Sequence, residues 1–258
     1  MSTFLFNDII FGPIKSRRLG TSLGVNLLPL DKKYCNFDCV YCECGWNSAN
    51  AHIKTVLPKL HEVVSRLTEV LLKMKLDNNL PDVITFAGNG EPTMHPDFPE
   101  IIDAVINIRD QIAPNVKIAV LSNATLIQKP AIKLALSKVD QNILKLDSGI
   151  IETIRIINQP PPTFDFDKLI ENLMGFRNLS IQTLFLKGTV NGKNFDNTTS
   201  LEIDAWLAII EKIKPIQVMI YTIARDTPSE TLEKIEKSVL DKISSKVKAL
   251  NIAVKVSN

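Results

Sequence analysis

The chain has 258 residues, of which 45% are hydrophobic and 22% are charged, and its formal net charge is +2. This apolar fraction supplies a large core and excludes a globally disordered chain, while the small net charge neither demands nor excludes nucleic acid as a partner. The chain has no apolar run of the length of a transmembrane helix, and its first residues, MSTFLFNDII, lack the basic segment of a secretory signal. We therefore expect a cytoplasmic protein with no membrane partner.

The first predicted strand, Leu23–Leu28, is followed by a loop that holds all four cysteines of the chain, Cys35, Cys39, Cys42 and Cys44. A disulfide framework would spread its cysteines to join distant segments, so this clustering indicates a metal site. The C-x3-C-x2-C spacing of the first three suits a cubane iron–sulfur cluster, and three ligands would leave one iron open to a non-protein ligand. Two alternatives stay open: a zinc site that uses all four thiols, and a four-cysteine electron-transfer cluster.

The rest of the chain alternates apolar strands with amphipathic helices. Helical periodicity predicts a helix over Pro58–Lys75, a second helix capped by Asp97 with Glu100 in a capping box, and a last long helix that starts after Ser229. Apolar, β-branched runs predict six further strands, at Val83–Phe86, Val116–Leu121, Ile143–Leu146, Ile181–Leu186, Val218–Ile223 and Ile252–Val256. Repeated β-α units of this kind predict one parallel sheet, open or closed into a partial barrel.

Polar residues follow the ends of these strands, where parallel α/β folds collect their functional groups. The candidates are Gly88, Asn89, Gly90 and Glu91 after the second strand, Ser122 and Asn123 after the third, and Lys145 and Asp147 at the end of the fourth. We expect them to converge with the cysteine loop on one rim. Each has a structural alternative: an ordinary turn for Ser122 and Asn123, a helix cap for Glu91 and Asp147, and a solvated charge for Lys145.

Several motifs resemble those of a known superfamily. The Cys35–Cys42 loop, with Tyr41 directly before its third cysteine, resembles the signature of radical S-adenosylmethionine (radical SAM) enzymes, and Gly88–Pro92 resembles their glycine-rich motif that contains a glutamate. Within that superfamily, further segments resemble the Fe–S oxidoreductases related to wyosine-type tRNA-modifying enzymes. These segments are Phe11–Pro13, Ser16–Gly20, Ser22–Gly24, Lys145–Asp147, Ile157–Pro160 and Gln182–Thr183.

The resemblance implies an α/β fold of the radical SAM type, a partial (β/α)6 TIM-like barrel. Residues 1–258 would form one domain, with residues 1–22 as an N-terminal extension that packs on the barrel. Cys35, Cys39 and Cys42 would bind three irons of a [4Fe–4S] cluster, and S-adenosylmethionine would chelate the fourth. An electron from a donor such as flavodoxin or ferredoxin would cleave S-adenosylmethionine to methionine and a 5′-deoxyadenosyl radical, which would take a hydrogen atom from the substrate.

The remaining cofactor contacts follow from the same resemblance. A cationic amino group needs acceptors, and glycine permits close backbone approach. Glu91 and the carbonyls of Gly88, Asn89 and Gly90 are expected to contact the amino group of S-adenosylmethionine. Ser122, Asn123 and Asp147 are expected to contact its ribose or carboxylate, and Lys145 its carboxylate. Tyr41 is expected to lie near the adenine.

The substrate stays open between a tRNA base, a small metabolite and a glycyl radical partner protein that the chain would activate. A tRNA substrate is disfavoured by the lack of a strongly basic composition and of an appended RNA module. Outside the enzymes, a non-catalytic Fe–S or zinc module is the alternative. Arg17 and Arg18 are candidates for a phosphate or carboxylate of the substrate, with a local salt bridge as the alternative. Cys44 is interpreted as a bystander thiol and His95 as a structural turn residue.

Overall fold

The computed structural model describes residues 4–49 and 51–258, which form a curled, mainly parallel sheet flanked by helices. The strands are β1 (Ile10–Ser16), β2 (Gly20–Val25), β3 (Val83–Phe86), β4 (Lys117–Ser122), β5 (Gln141–Lys145), β6 (Leu179–Leu184), β7 (Leu186–Val190), β8 (Lys193–Asp196), β9 (Gln217–Tyr221), β10 (Leu232–Lys234) and β11 (Ala253–Ser257). The helices are α1 (Leu60–Leu76), α2 (Phe98–Ile112), α3 (Pro130–Lys138), α4 (Ile151–Ile157), α5 (Phe166–Leu173), α6 (Ser200–Ile213) and α7 (Lys237–Ala249).

The main sheet has eight strands in the order β1-β2-β3-β4-β5-β6-β9-β11. The pair β1–β2 is antiparallel, and every other neighbouring pair is parallel. The seven strands predicted from apolar runs correspond to β2, β3, β4, β5, β6, β9 and β11, with shifts of a few residues at their ends. The predicted α/β fold with a partial barrel is therefore confirmed.

The sheet separates two apolar layers of unequal size. The large outer layer lies between the sheet and the helices and includes the fully buried Phe86, Phe98 and Trp206. The small inner layer on the concave face consists of Val83, Ala119, Ile143 and Met219, against which Leu19 and Leu121 pack. Because so few apolar side chains fill the concave face, space remains there for polar groups and a ligand.

The antiparallel β1–β2 hairpin forms one edge of the main sheet. Its turn brings Arg18 to β6, β9 and β11: the guanidinium contacts Gln182 and Tyr221, and the Arg18 carbonyl accepts a 2.6 Å hydrogen bond from Lys255. Strand β1 was not predicted, and the segment expected to be an N-terminal extension contributes both β1 and the start of β2 to the main sheet.

A second, antiparallel sheet of three strands has the order β10-β7-β8. It was not predicted, and the prediction that the last helix starts just after Ser229 is wrong. Residues Leu232–Lys234 pair with Leu186–Gly188 as strand β10, because the half-buried Leu232 packs into an apolar cluster with Leu186 and Phe195, and α7 begins only at Lys237.

Asp97 is the N-cap residue of α2, but its side chain makes no capping hydrogen bond, so the predicted capping box is wrong. Its ψ of 21° departs from the extended conformation that capping requires. The Asp97 amide instead donates to Nδ1 of His95, whose Nε2 contacts the Pro58 carbonyl at 2.8 Å. His95 thus fixes a turn, as expected. In residues 4–49 and 51–258, no helix is long and apolar enough to cross a membrane.

Candidate functional site

A cavity of about 650 Å³ opens at the carboxyl ends of the main-sheet strands. Its wall is formed by strand residues whose side chains point to the concave face: Ser22, Thr85, Leu121, Lys145, Gln182 and Tyr221. The long loop between β2 and α1 brings all four cysteines, each with a free thiol, to the same cavity.

The structure brings most of the predicted cofactor contacts together at this cavity. The residues that line it are Tyr41, Gly88, Gly90, Glu91, Ser122, Asn123 and Lys145, with Cys35, Cys39 and Cys42. Asn89 and Asp147 do not line it, because both are fully buried behind the wall. The geometry therefore favours a supporting role for these two residues over direct contact with a cofactor.

Backbone hydrogen bonds hold the cysteine loop against two other loops. The Tyr34 amide donates to the Asn89 carbonyl at 2.8 Å and the Glu91 amide donates to the Tyr34 carbonyl at 3.1 Å, which places Cys35 beside the glycine-rich turn. On the other side, the Val40 amide donates to the Ile157 carbonyl at 2.9 Å, at the end of α4. The loop thus has a fixed position despite its lack of regular secondary structure.

The four thiols have different surroundings. Burial raises the pKa of Cys35, and it raises the pKa of Cys39 to about 11, although Asn158 Nδ2 lies 3.4 Å from the Cys39 sulfur and opposes that increase. The neighbouring Cys44 thiol lowers the pKa of Cys42 by interacting with its sulfur, and the same interaction raises the pKa of Cys44. Metal binding to Cys35 and Cys39 would therefore release the protons that burial retains.

Lys33 is a buried cation beside the cysteines that the sequence analysis missed. Its ammonium group donates to Asp38 at 2.8 Å and to the Gly45 carbonyl at 2.9 Å, and its side chain is 2% exposed. Burial opposes its charge, but Cys42 and Asp38 together keep the pKa of Lys33 above its usual range. A fixed positive charge at this point compensates part of the negative charge of nearby thiolates.

The glycine-rich turn after β3 requires glycine for steric reasons within the protein itself. Gly88 and Gly90 have φ values of 144° and 145°, and a Cβ at Gly90 would lie 1.9 Å from the Tyr34 carbonyl oxygen. Between them, Asn89 donates from Nδ2 to the carbonyls of Phe6 and Pro29 at 2.9 and 2.8 Å. The turn thus packs directly against the cysteine loop, and Asn89 attaches the N-terminal segment to it.

Glu91 joins this turn to the end of β4. Its Oε1 accepts hydrogen bonds from Thr93 and from the Ser122 hydroxyl at 2.8 Å, and its Oε2 accepts one from the Asn123 amide at 2.6 Å. Burial raises the pKa of Glu91, and the hydrogen bonds from Asn123, Thr93 and Ser122 oppose that increase. Because a carboxylate oxygen has two lone pairs, Oε2 keeps one acceptor direction for a ligand.

A second buried network lies at the ends of β5 and α4. Asp147 accepts hydrogen bonds from the Tyr41 hydroxyl, from Asn158 at 2.7 Å and from the Leu184 amide at 2.9 Å, and it pairs with Lys145 at 3.5 Å. Burial and Asp147 raise the pKa of Tyr41; burial opposes the charge of Lys145, yet Asp147 keeps the pKa of that lysine above its usual range. Asp147 thus holds Tyr41 and Lys145 in place at the cavity wall.

The donor set fits an iron–sulfur cluster together with a ligand that carries an amino group. Within residues 4–49 and 51–258, no three Cys, His, Asp or Glu side chains are arranged around one metal ion. A cubane, however, contacts each thiolate at a separate iron, so its sulfur ligands do not converge on a point. Soft thiols suit iron, and the carboxylate of Glu91 with the adjacent turn carbonyls suits a cation.

The model of the Radical SAM superfamily matches residues 32–190, which include the cysteine loop, the glycine-rich turn and both polar networks. This chain belongs to the radical SAM superfamily. Its cofactors are accordingly S-adenosylmethionine and a [4Fe–4S] cluster, as predicted. The superfamily match identifies the cofactors but assigns no reaction and no substrate.

Two related proteins are similar to this chain over a longer stretch than the superfamily model matches. The chain is 32% identical over 225 residues to a UPF0026 protein of Helicobacter pylori, covering 84% of this chain and 67% of that protein. It is 32% identical over 241 residues to a protein of Brachyspira hyodysenteriae named GTPase Obg, covering 90% of this chain but only 32% of that protein. The chain therefore spans about a third of one relative and two thirds of the other.

Solved structures of radical SAM proteins share the fold at low sequence identity. A radical SAM methyltransferase from Sphaerobacter thermophilus has a TM-score of 0.68 at 12% identity, covering 92% of this chain and 65% of that one. Archaeal TYW1 has a TM-score of 0.53 at 12% identity, covering 88% of this chain and 71% of that one. At this level of identity, both similarities concern the fold.

Proposed function

We propose that this protein is an enzyme that uses reductive cleavage of S-adenosylmethionine to start a radical reaction on a substrate. When bound, the cluster and S-adenosylmethionine supply the chemistry: one electron yields methionine and a 5′-deoxyadenosyl radical, which abstracts a hydrogen atom. The observation that carries the proposal is the backbone pairing of Tyr34 with the Gly88–Glu91 turn, which sets three thiols beside acceptors for an amino group in one cavity.

In this proposal Cys35, Cys39 and Cys42 are the cluster ligands. They lie on one short loop, and the side-chain amide nitrogens of Asn158 and Asn123 lie 3.4 and 3.7 Å from the sulfurs of Cys39 and Cys35. Such hydrogen bonds stabilise electron-rich sulfur and help to set the reduction potential. The buried positive charge of Lys33 also stabilises electron-rich sulfur.

The amino group of S-adenosylmethionine is assigned to the free acceptor direction of Glu91 and to the carbonyls of Gly88 and Gly90. Gly88 already accepts a contact from the Cys44 thiol at 3.5 Å, and an ammonium group would be a much stronger donor there. We assign Ser122 and Asn123 to the ribose or carboxylate, Lys145 to the carboxylate, and Tyr41 to the wall near the adenine.

Asn89 and Asp147 are proposed as positioning residues. Asn89 holds the N-terminal segment to the glycine-rich turn, and Asp147 holds Tyr41 and Lys145. We further propose that residues 1–258 act as one domain, that the protein works in the cytoplasm, and that a donor such as flavodoxin or ferredoxin supplies the electron. A tRNA base, a small metabolite and a glycyl radical partner protein are the three substrate classes to test.

Anoxic reconstitution tests the proposal. The protein is supplied with iron and sulfide, its iron and sulfide contents are measured, and 5′-deoxyadenosine is quantified after addition of S-adenosylmethionine and dithionite. The proposal predicts a four-iron cluster and formation of 5′-deoxyadenosine. A protein that binds zinc through its thiols and cleaves nothing would be a non-catalytic module. Deuterium transfer from labelled tRNA or metabolite pools into 5′-deoxyadenosine then identifies the substrate class.

A further inference from the structure

We propose that the concave face of the barrel contains an oxyanion subsite for the substrate, centred on the guanidinium of Arg18. The ligand would be a phosphate or carboxylate group that the substrate carries. This inference rests on the proposed function, since it names the class of molecule that reaches the same cavity. Arg18 and Arg17, on the turn of the β1–β2 hairpin, both line that cavity.

The Arg18 side chain is held in one orientation on the concave face. Its Nη1 donates to Gln182 Oε1 at 2.8 Å, and its guanidinium carbon lies 4.3 Å from the centroid of the Tyr221 ring. The Ser16 hydroxyl accepts hydrogen bonds from the backbone amides of Arg18 and Leu19 at 3.2 and 3.1 Å, which fixes the turn. An arginine has five N–H donors, so most of them remain for a ligand.

The charge of Arg18 is not balanced by the protein. In the described part of the chain, neither Arg18 nor Arg17 forms an ion pair, so the alternative of a local salt bridge is not realised. Arg18 also lies close enough to Lys145 to oppose its positive charge, and Lys145 is already paired with Asp147. Of these two neighbouring cations only Lys145 has a carboxylate partner, which leaves a net positive charge that an oxyanion would neutralise.

Neither of the two acidic residues that line the cavity pairs with Arg17 or Arg18. Glu43 pairs with Arg225 at 2.6 Å, and Glu91 accepts hydrogen bonds from Thr93, Ser122 and Asn123 near the glycine-rich turn. Lys15 lines the cavity as well and adds a further positive charge on the hairpin. The field inside the cavity is therefore positive on the side of the hairpin, which favours an anionic ligand.

The position of Arg18 separates this subsite from Glu91 and the glycine-rich turn, the proposed contacts of the S-adenosylmethionine amino group. Arg18 touches Gln182 of β6 and Tyr221 of β9, whereas Glu91 and the glycine-rich turn follow β3. Strands β4 and β5 lie between these groups in the curled sheet. A substrate anchored at Arg18 would therefore approach the cofactor from the opposite wall.

The test is isothermal titration of the reconstituted protein, saturated with S-adenosylmethionine and kept anoxic at constant ionic strength. Inorganic phosphate and acetate are titrated separately, and their relative affinities show whether the subsite prefers a phosphate or a carboxylate. Arg18→Gln is expected to weaken binding of the preferred anion about ten-fold or more. Gln182→Glu keeps Arg18 but places a carboxylate against it, so it should weaken anion binding to a similar extent.

Arg177→Gln is the matched control, because it removes the same charge from a separate depression between α3 and the segment before β6. It should leave anion affinity unchanged. The inference is overturned if wild-type protein binds neither anion, or if both cavity variants bind as wild type does. It is also overturned if Arg18→Gln lowers the affinity for S-adenosylmethionine as much as that for the anion. Failure of the wild-type protein to form 5′-deoxyadenosine would instead refute the proposed function.

Discussion

The carboxylate of Glu91 accepts a 2.6 Å hydrogen bond from the backbone amide of Asn123, and this bond ties the loop after β3 to the loop after β4. Both loops line the cavity, and the Ser122 hydroxyl reinforces the link at 2.8 Å. Glu91 therefore fixes the shape of the rim, and in the proposed enzyme the remaining lone pair of Oε2 is available to the amino group of S-adenosylmethionine.

Replacement of Glu91 by alanine should weaken binding of S-adenosylmethionine about ten-fold or more, because a charge-assisted hydrogen bond is lost. The cluster should be retained, since no cysteine is changed. Equilibrium binding to reconstituted protein measures the first effect, and iron analysis measures the second. Glu100→Ala, which removes an exposed carboxylate from α2, is the control and should bind normally. Unchanged affinity in Glu91→Ala would argue against contact with the amino group.

Replacement of any one of Cys35, Cys39 and Cys42 by alanine should abolish formation of 5′-deoxyadenosine, because one iron loses its thiolate. Cys44→Ala should keep a similar iron content, although it removes the neighbouring thiol that lowers the pKa of Cys42. Iron and sulfide analysis after anoxic reconstitution compares the four variants. Loss of iron from Cys44→Ala, with retention in one of the others, would show that a different set of three cysteines binds the cluster.

Asp147→Asn should destabilise the protein by about 3 kcal/mol, because Lys145 and the Tyr41 hydroxyl would lose a buried carboxylate partner. Urea unfolding of the cluster-free protein, followed by circular dichroism, measures this change without any cofactor. Asp241→Asn breaks an exposed pair with Lys237 and should change stability by less than about 1 kcal/mol. Unfolding of Asp147→Asn at the wild-type urea concentration would contradict the view that Asp147 stabilises the buried Lys145 and Tyr41.

Asn142→Leu should stabilise the protein by about 1 kcal/mol. Asn142 is fully buried on β5, and neither its amide nitrogen nor its amide oxygen has a hydrogen-bond partner among the described residues. Leucine has a similar shape and removes the unfavourable burial of an unpaired polar group. Urea unfolding provides the measurement, with Asn142→Asp expected to shift stability in the opposite direction. A less stable Asn142→Leu protein would contradict the interpretation.

The sequence predicted the parallel strands well because each contains an apolar run, which in the central strands β3, β4, β5, β6 and β9 reflects burial on both faces. The missed elements lack that signal. Strand β1 alternates irregularly between buried and exposed residues and contains a register shift between Phe11 and Ile14. Strand β10 has three residues, and it is a strand only because it packs against β7. Neither pattern can be distinguished from a loop or a helix start without the tertiary structure.

In the candidate site, too, the motifs of neighbouring residues could be predicted from the sequence, whereas contacts between residues far apart in the chain could not. Cysteine spacing and the glycine-rich turn are local motifs, and the sequence could place them. The network that joins Tyr41 to Asp147 connects residues 106 positions apart, so its geometry follows from the fold alone. Lys33 looks like an ordinary lysine in the sequence, and only its burial against Asp38 shows its importance.

The paired backbones of Tyr34 and Gly90 also bear on the rigidity of the rim. Because hydrogen bonds run in both directions between these segments, we expect the cysteine loop and the glycine-rich turn to move together. In the proposed enzyme, the residues that would hold the cluster and those that would hold the amino group of S-adenosylmethionine would then keep their spacing when a substrate enters the cavity.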